Sequence, residues 1–443
     1  MKTFNLGGVH PEENKLSGNS PIKVCSIPTT VSIPLAQNLG AASVPIVAKG
    51  EKVKVGQLIA KGEAFISSNI HSSVSGTVLK IDDIMDASGY RKKAIIINVE
   101  GDEWLEEIDR SADIKREISY NKGEIVSIVK DSGVVGLGGA TFPTQVKLMV
   151  PEGKKAEYLI INGVECEPYL TSDHRLMLEK GEELLIGISI LMKALDVSKA
   201  LIGIENNKQD AIANLKKLAV NYKGIEVHEL QVKYPQGGEK QLIKALINRE
   251  VPSGKLPIEV GCVVNNVGTA FAVYEAVQKK KPLIERVVTI TGKTVKNPSN
   301  YMVRIGTPLS FLLSEADSMP EGTGKVINGG PMMGKALTTL EIPVVKGMSG
   351  VVIMPEGEAK RPNAYNCIRC GKCISACPMG LEPYLIALMS EQNKFESCEG
   401  ERVMDCMECG SCSFTCPSGR PLLDMIRVSK NKVSQIIRLR SNK

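Results

Sequence analysis

Residues 367–378 read CIRCGKCISACP, and residues 406–417 read CMECGSCSFTCP. Each block sets four cysteines at the spacing C-x2-C-x2-C-x3-C and closes on proline. Eight of the 12 cysteines lie in these two stretches, and the N-terminus, MKTFNLGGVHPEENK, has no apolar export segment. In a reducing compartment such crowding points to metal rather than disulfides. Structural zinc uses C-x2-C pairs separated by a longer loop. Three cysteines at i, i+3 and i+6 instead wrap three corners of a cubane, and the fourth, before proline, ligates the other cluster of a pair. The repetition therefore has a cause, since neither block completes a site alone. This reading assigns Cys367, Cys370, Cys373 and Cys416 to one [4Fe–4S] cluster, and Cys406, Cys409, Cys412 and Cys377 to a second. Cys25, Cys166, Cys262 and Cys398 read as small buried hydrophobes, with Cys166 the one exception.

Cys377 and Cys406 stand 29 positions apart. Leu381, Leu385, Leu388 and Met389 in that gap fall at helical spacing, so the cluster domain is expected to be mainly helical. Beyond Asp424 come Arg427, Lys430, Lys432, Arg438, Arg440 and Lys443 with no acidic residue among them. They read as a solvated basic tail or as a contact for anionic lipid or an acidic partner.

The remaining sequence must supply what feeds two one-electron centres. At 443 residues the chain is long enough for about three domains. A net charge of +6 without an aromatic-rich basic segment argues against nucleic acid. The longest apolar run, LLIGISILM at 184–192, stops at Lys193, well short of the roughly 20 residues of a membrane span. A cytoplasmic protein, or one docked on the cytoplasmic side of a membrane, is expected.

From Val47 to Ile81, short β segments alternate with glycine turns. This stretch resembles the lipoyl or biotinyl carrier sandwich, but Phe65 occupies the hairpin tip where that family carries its modified lysine. A docking scaffold without carrier chemistry is expected. Next, DSGVVGLGGATFPTQVKL (131–148) fails as a dinucleotide fingerprint, because Thr141 replaces the third glycine and EIVSIVKD before it is patterned as a helix. Its glycines still suit a phosphate-binding loop, with Pro143 expected in the first turn of a helix and Lys147 one turn on. Strands are expected at 156–163, 199–205 and 224–232, with helices at about 180–195 and 207–222, giving an α/β unit with a mostly parallel sheet. Ligands bind beyond the carboxyl ends of such strands, which singles out Asn162, Glu165 and Glu167 in NGVECEPYLTSDHR.

The stretches GLGGATFPTQVKL, INGVECEPYLTSDHRLM, YPQGGEKQLIKAL and VVNNVGTAFAVYEAV stand in the order seen in the flavin-bearing, NADH-oxidising subunit of respiratory complex I. With the opening FNLGGVHPEENK, the lysine-free sandwich and both cysteine blocks, the chain more closely resembles the C-type subunit of the Rnf ferredoxin:NAD oxidoreductase complexes. The resemblance covers essentially the whole chain. It implies FMN, NAD(H) and two [4Fe–4S] clusters as cofactors. It also implies membrane-embedded and ferredoxin-facing subunits as partners, and a peripheral place on the cytoplasmic side of the cell membrane. Carried over by position, Gly136, Gly138, Gly139 and Lys147 would hold the FMN phosphate and ribityl chain. Asn162, Glu165, Asn265, Asn266 and Thr269 would line the isoalloxazine. Tyr234, Gly237, Gly238 and Glu239 match the stretch on the nucleotide side, while Phe142 and Glu167 would meet NADH. Leu137, Val164 and Cys166 depart from the arginine, aspartate and serine of the complex I subunits.

The expected architecture is multidomain α/β plus β. It comprises an N-terminal region with the lipoyl-like sandwich (1–115), an FMN/NADH-binding α/β domain (116–280) and a β-grasp module (281–355). A helical two-cluster ferredoxin domain (356–426) and a basic tail (427–443) follow. No side chain needs to act as acid, base or nucleophile, because nicotinamide moves two electrons as hydride, a cluster carries one, and flavin converts between them. His10, His71, His174 and His228 are scattered and read as structural. A soluble flavin and iron–sulfur cobalamin reductase shares these motifs, but in that family the chain tends to begin near the glycine loop.

Overall fold

The computed structural model describes residues 1–441. Residues 30–99 build two small antiparallel sheets. One runs in the order Thr30–Pro34, Arg91–Val99, Gly76–Met85 and Lys52–Val53; the other joins Val44–Pro45, Leu58–Lys61 and Ile70–His71. Val31, Ile33, Ile59, Ile95 and Ile97 alternate inward and are wholly buried between them. Phe65 stands at the tip of the 58–71 hairpin, 69% exposed, so nothing in the fold uses that position for packing.

The second unit is a parallel sheet in the order Ile225–Leu230, Ala200–Glu205, Tyr158–Asn162 and Cys262–Asn266. The three strands read from sequence are present; the fourth, 262–266, completes the sheet. Its central runs are apolar because helices cover the sheet. Gly181–Leu195 and Val267–Lys279 pack closely, and a Cβ on Gly187 would lie 1.9 Å from the Ala270 carbonyl oxygen. That glycine permits the helices to touch backbone to backbone.

The third sheet is mixed and six-stranded: Ile22–Val24, Ser299–Arg304, Glu285–Thr291, Gly350–Pro355, Thr323–Asn328 and Lys335–Ala336, with the helix Leu309–Glu315. Its edge strand Ile22–Val24 comes from the N-terminal stretch and pairs with 300–302. The sheets therefore cross the boundaries expected at 115 and 281. Residues 2–9 also leave the sandwich, bridging Lys2 to Leu230 and Val9 to Tyr234 of the second unit.

After Pro355 the described residues hold helices and no strand, notably Lys372–Ala376, Pro383–Glu391, Ser411–Phe414 and Leu422–Ser441. The basic tail expected over 427–443 is a correction. Residues 422–441 form one continuous helix, with Ser429 and Val433 wholly buried. Arg427 and Lys430 both bond Glu408, and Arg440 pairs with Glu399, so the cations hold the helix to the cysteine domain. Sequence could not show these pairings, because the acidic partners precede the helix cations by at least 19 residues. Lys443 lies outside the described residues. No helix among the described residues is long and apolar enough to cross a membrane.

Candidate functional site

In the parallel sheet, Tyr158–Asn162 has the later strand 200–205 on one side and 262–266 on the other. The winding reverses there, and a doubly wound sheet opens its crevice at such a point. Asn162 and Asn266 lie side by side at the two carboxyl ends. Asn162 donates to the Gly237 carbonyl at 2.8 Å. Asn266 accepts from the Gly268 amide, capping helix 267–279, and donates to Asp173 at 2.6 Å. Asn265, next to Asn266 and 4% exposed, has an Nδ2 with no acceptor. Such a buried donor costs about 1–3 kcal/mol until something accepts from it. A flavin ring, edged with carbonyl and ring-nitrogen acceptors, fits that need.

The glycine loop closes over this crevice. Leu137 N–H donates to Thr269 Oγ1 at 2.9 Å, and Gly136 N–H to the Phe142 carbonyl at 2.9 Å. A Cβ on Gly138 would come within 2.7 Å of Asn266 Nδ2, so only glycine lets the loop lie against the strand end. Gly139, at φ +122, faces open space. Thr144–Leu148 is only five residues long, and Pro143 stands at its N-cap instead of inside the first turn, a correction that leaves little helix dipole there. Lys147 donates to the Val264 carbonyl at 2.9 Å and pairs with Glu239 at 3.2 Å. The cation is at the crevice, held by Glu239.

The loop after Asn162 is held from behind. Glu165 accepts from Ser172 Oγ and from the Asp173 and His174 amides, capping the helix Ser172–Glu179. Burial and neighbouring Glu165 push the Asp173 carboxyl upward. Lys15 reaches in from the N-terminal segment and donates to the carbonyls of Glu165, Glu167 and Leu170 at 2.7–2.9 Å. Burial, helped by neighbouring Lys208 and opposed by Glu165, lowers its ammonium to about 8. Glu167 is turned toward the third sheet, where its carboxylate accepts the Met332 and Met333 amides at 3.1 and 2.7 Å. Burial pushes that carboxyl up to about 7.

The cysteine blocks meet this loop at a seam. Tyr234 donates its hydroxyl to the Cys409 carbonyl at 2.8 Å, with Glu167 beside it. A Cβ on Gly238 would meet the Met407 methyl at 2.5 Å. Val9, Tyr234, Ala376, Cys409, Met332 and Met407 form one apolar cluster. The electrostatic neighbours of Cys412 are Cys406, Cys409 and Cys377, whereas Cys373 neighbours Cys416. Cys377 thus lies among the thiols of the second block, and Cys416 beside Cys373 of the first. Burial raises Cys406 to about 11 and Cys412 to about 12. Iron binding requires the thiolate, so the metal's charge must offset that burial. Cys409 is buried at the seam and Cys373, Cys377 and Cys412 are buried within the cysteine domain, while Cys367 and Cys370 are exposed. Among the described residues no three such ligands converge on a single-ion site; thiolates of a cubane bind separate irons and stand wider apart.

Family models match the Nuo51 FMN-binding domain over residues 129–275, the RnfC barrel sandwich hybrid domain over 2–102 and the SLBB domain over 287–336. The chain is 46% identical to the C component of the proton-translocating ferredoxin:NAD(+) oxidoreductase complex of Clostridium ljungdahlii, across 98% of this chain and 94% of that one. It is 44% identical to the Na(+)-translocating counterpart of Acetobacterium woodii, across 96% of each. The chain belongs to the RnfC family. Among solved structures it shares a fold with a chain of the NAD+-reducing [NiFe]-hydrogenase, at TM-score 0.52 and 18% identity, covering 72% of this chain and 63% of that one.

In this RnfC chain the structure brings together Gly136, Gly138, Asn162, Asn265, Asn266, Thr269, Lys147 and Glu239 at one crevice. Thr269 and Asn162 spend their hydrogen bonds on holding loops. Glu167 and Tyr234, expected on the nucleotide side, are bonded instead to the 332–333 amides and to the Cys409 carbonyl. Phe142 is half-buried beside the glycine loop, accepting the Gly136 amide. Sequence reading missed Lys15, Asp173 and the segment GGPMMG (329–334). Its glycines were the available signal, for a Cβ on Gly330 would strike the Glu167 carboxylate at 2.2 Å. Arg286 was missed as well; from the third sheet its guanidinium reaches the Leu137 carbonyl at 3.4 Å.

Proposed function

We propose that this chain is the peripheral electron-transfer subunit of a membrane-bound, ion-translocating ferredoxin:NAD oxidoreductase of the Rnf type, on the cytoplasmic side. When bound, FMN exchanges hydride with NAD(H), and two [4Fe–4S] clusters carry the electrons singly. Asn265, with its free buried donor, the glycine loop and Lys147 would hold the flavin. Asn162, Asn266 and Thr269 keep the loops around it in register. Cys406, Cys409, Cys412 and Cys377 would hold the cluster at the seam; Cys367, Cys370, Cys373 and Cys416 would hold the outer one. Tyr234, Met332 and Met407 fill the space between flavin domain and seam with apolar and hydrogen-bonded groups, excluding water from it.

The observation that carries this reading is the seam. Cys409 of the second block is buried against Tyr234 of the flavin domain, with Cys377 and Cys412 buried as well, whereas Cys367 and Cys370 of the first block open to the surface. A path therefore runs from crevice to seam to exterior. A soluble cobalamin reductase would share the flavin and cluster motifs, but the likeness to Rnf subunits spans nearly the whole chain, sandwich included.

The test is anaerobic NADH titration of the iron-reconstituted, FMN-loaded chain, followed by visible spectra and EPR. NADH is expected to reduce flavin and then give a cluster signal. Asn265→Leu is expected to bind less FMN while dithionite still reduces both clusters. Cluster reduction by NADH in FMN-free protein would overturn the reading.

A further inference from the structure

We propose that the segment Lys360–Lys372 is the docking face for an acidic one-electron redox protein or domain. The proposal rests on the functional reading above for the presence of the outer cluster.

The segment KRPNAYNCIRCGK carries four basic residues and no acidic one. Residues 361–370 are all exposed and belong to no helix or strand. Cys367 and Cys370 surface here, beside Tyr365 and Ile368, each 67% exposed. Single exposed apolar side chains need no explanation. Two of them beside the exposed thiols, flanked by cations, form the apolar centre and charged rim of a small interface. Arg369 and Lys372 have no ion-pair partner among the described residues. Lys360 pairs only with Glu356, and both side chains are largely in water, which makes the pair weak.

The segment is held in place. Tyr365 N–H donates to the Ser418 carbonyl at 2.9 Å, and Arg361 pairs with Asp424. The contrast with the second block decides the direction. Around Cys406–Cys409, Arg427 and Lys430 are both tied to Glu408, and Tyr234 closes the approach. The outer block sets Arg369 and Lys372, tied to no carboxylate among the described residues, beside exposed thiols, where they steer an acidic partner. The transfer itself moves one electron between the outer cluster and the partner's centre, with no bond made and no proton taken up.

The probes are the acidic soluble domain of cytochrome b5 and basic cytochrome c. The chain is reduced with dithionite and desalted, so one cluster electron reduces one ferric haem without NADH. A chain that NADH fails to reduce would refute the hydride reading while this test still runs. Reduction of cytochrome b5 is expected to outpace that of cytochrome c at low salt and to slow steeply as salt rises. Carbodiimide cross-linking, which joins carboxylates to lysines, is expected to trap cytochrome b5 on Lys360 and Lys372. Arg369→Glu/Lys372→Glu is expected to cut the cytochrome b5 rate at least tenfold with iron content and EPR unchanged. Lys360→Glu and Tyr365→Ser, outside the cysteine spacing, should each slow it by a smaller factor. Cross-links elsewhere, preference for cytochrome c, or unchanged rates in cluster-intact variants would overturn the proposal.

Discussion

Replacing Gly7 with alanine tests whether the N-terminal strap fixes the cluster seam. Gly7 sits at φ +68, and a Cβ there would lie 2.5 Å from both the carbonyl carbon and oxygen of Cys377 and 2.7 Å from Pro378 N. Those are backbone atoms, so no side chain can rotate away. The adjacent Gly8 N–H donates to the Ala376 carbonyl at 3.0 Å, which couples the strap to the same turn. The left-handed conformation costs a residue with a Cβ about 1–2 kcal/mol. Separating the two backbones sacrifices the Gly8 hydrogen bond, about 0.5–1.5 kcal/mol more. The sum, roughly 1.5–3.5 kcal/mol, is a 10- to 400-fold rise in local opening. Hydrogen exchange by mass spectrometry on peptides spanning 2–9 and 374–380 reads that change directly. Gly50→Ala is the control, because Gly50 has φ +87 but nothing within 4 Å of the added Cβ. EPR should show the cluster that includes Cys377 disturbed and flavin content unchanged. If Gly7→Ala exchanges no faster than Gly50→Ala and both clusters are intact, the strap does not fix the seam.

Cys377→Ser is expected to damage the site built from 406–412, and Cys416→Ser the site built from 367–373; iron analysis with EPR would show the reverse if each block closed its own cluster. Gly187→Ala should destabilise the flavin domain, since overpacking costs about 1–3 kcal/mol while the gain in helix propensity is about 1 kcal/mol; a denaturation midpoint equal to or above the parent's contradicts the close helix contact. Burial, with a smaller contribution from Lys346, lowers His71 to about 3, and its Nδ1 has no partner. The folded state then binds fewer protons than the unfolded one between pH 6.5 and 3, so His71's contribution to stability falls as pH drops through that window. His71→Leu should flatten this part of the pH–stability curve, and an unchanged slope would exclude His71 as its source. Intact mass spectrometry should find no lipoyl or biotinyl group on the chain, as Phe65 occupies the tip; an adduct would refute the scaffold role.

The spacing on which the proposed cluster chemistry rests was legible in the sequence because it is local: thiols at i, i+3 and i+6 stay near one another wherever the block lies. The strands at 158–162, 200–205 and 225–230 were legible for the same reason, as apolar runs and helical periods repeat within a few residues. So was the missing carrier lysine, a matter of one position in one hairpin. Tertiary structure alone decided which cysteine block faces the flavin domain, since that depends on Tyr234 meeting Cys409 across 175 residues. It also decided that Glu167 bonds the 332–333 amides, that Ile22–Val24 joins the third sheet, and that the C-terminal cations pair with Glu408 and Glu399. Lys15 and Arg286 carry no periodic signal of their own, because a buried cation is specified by the carbonyls that surround it. Those carbonyls come from distant loops, and only folding brings them together.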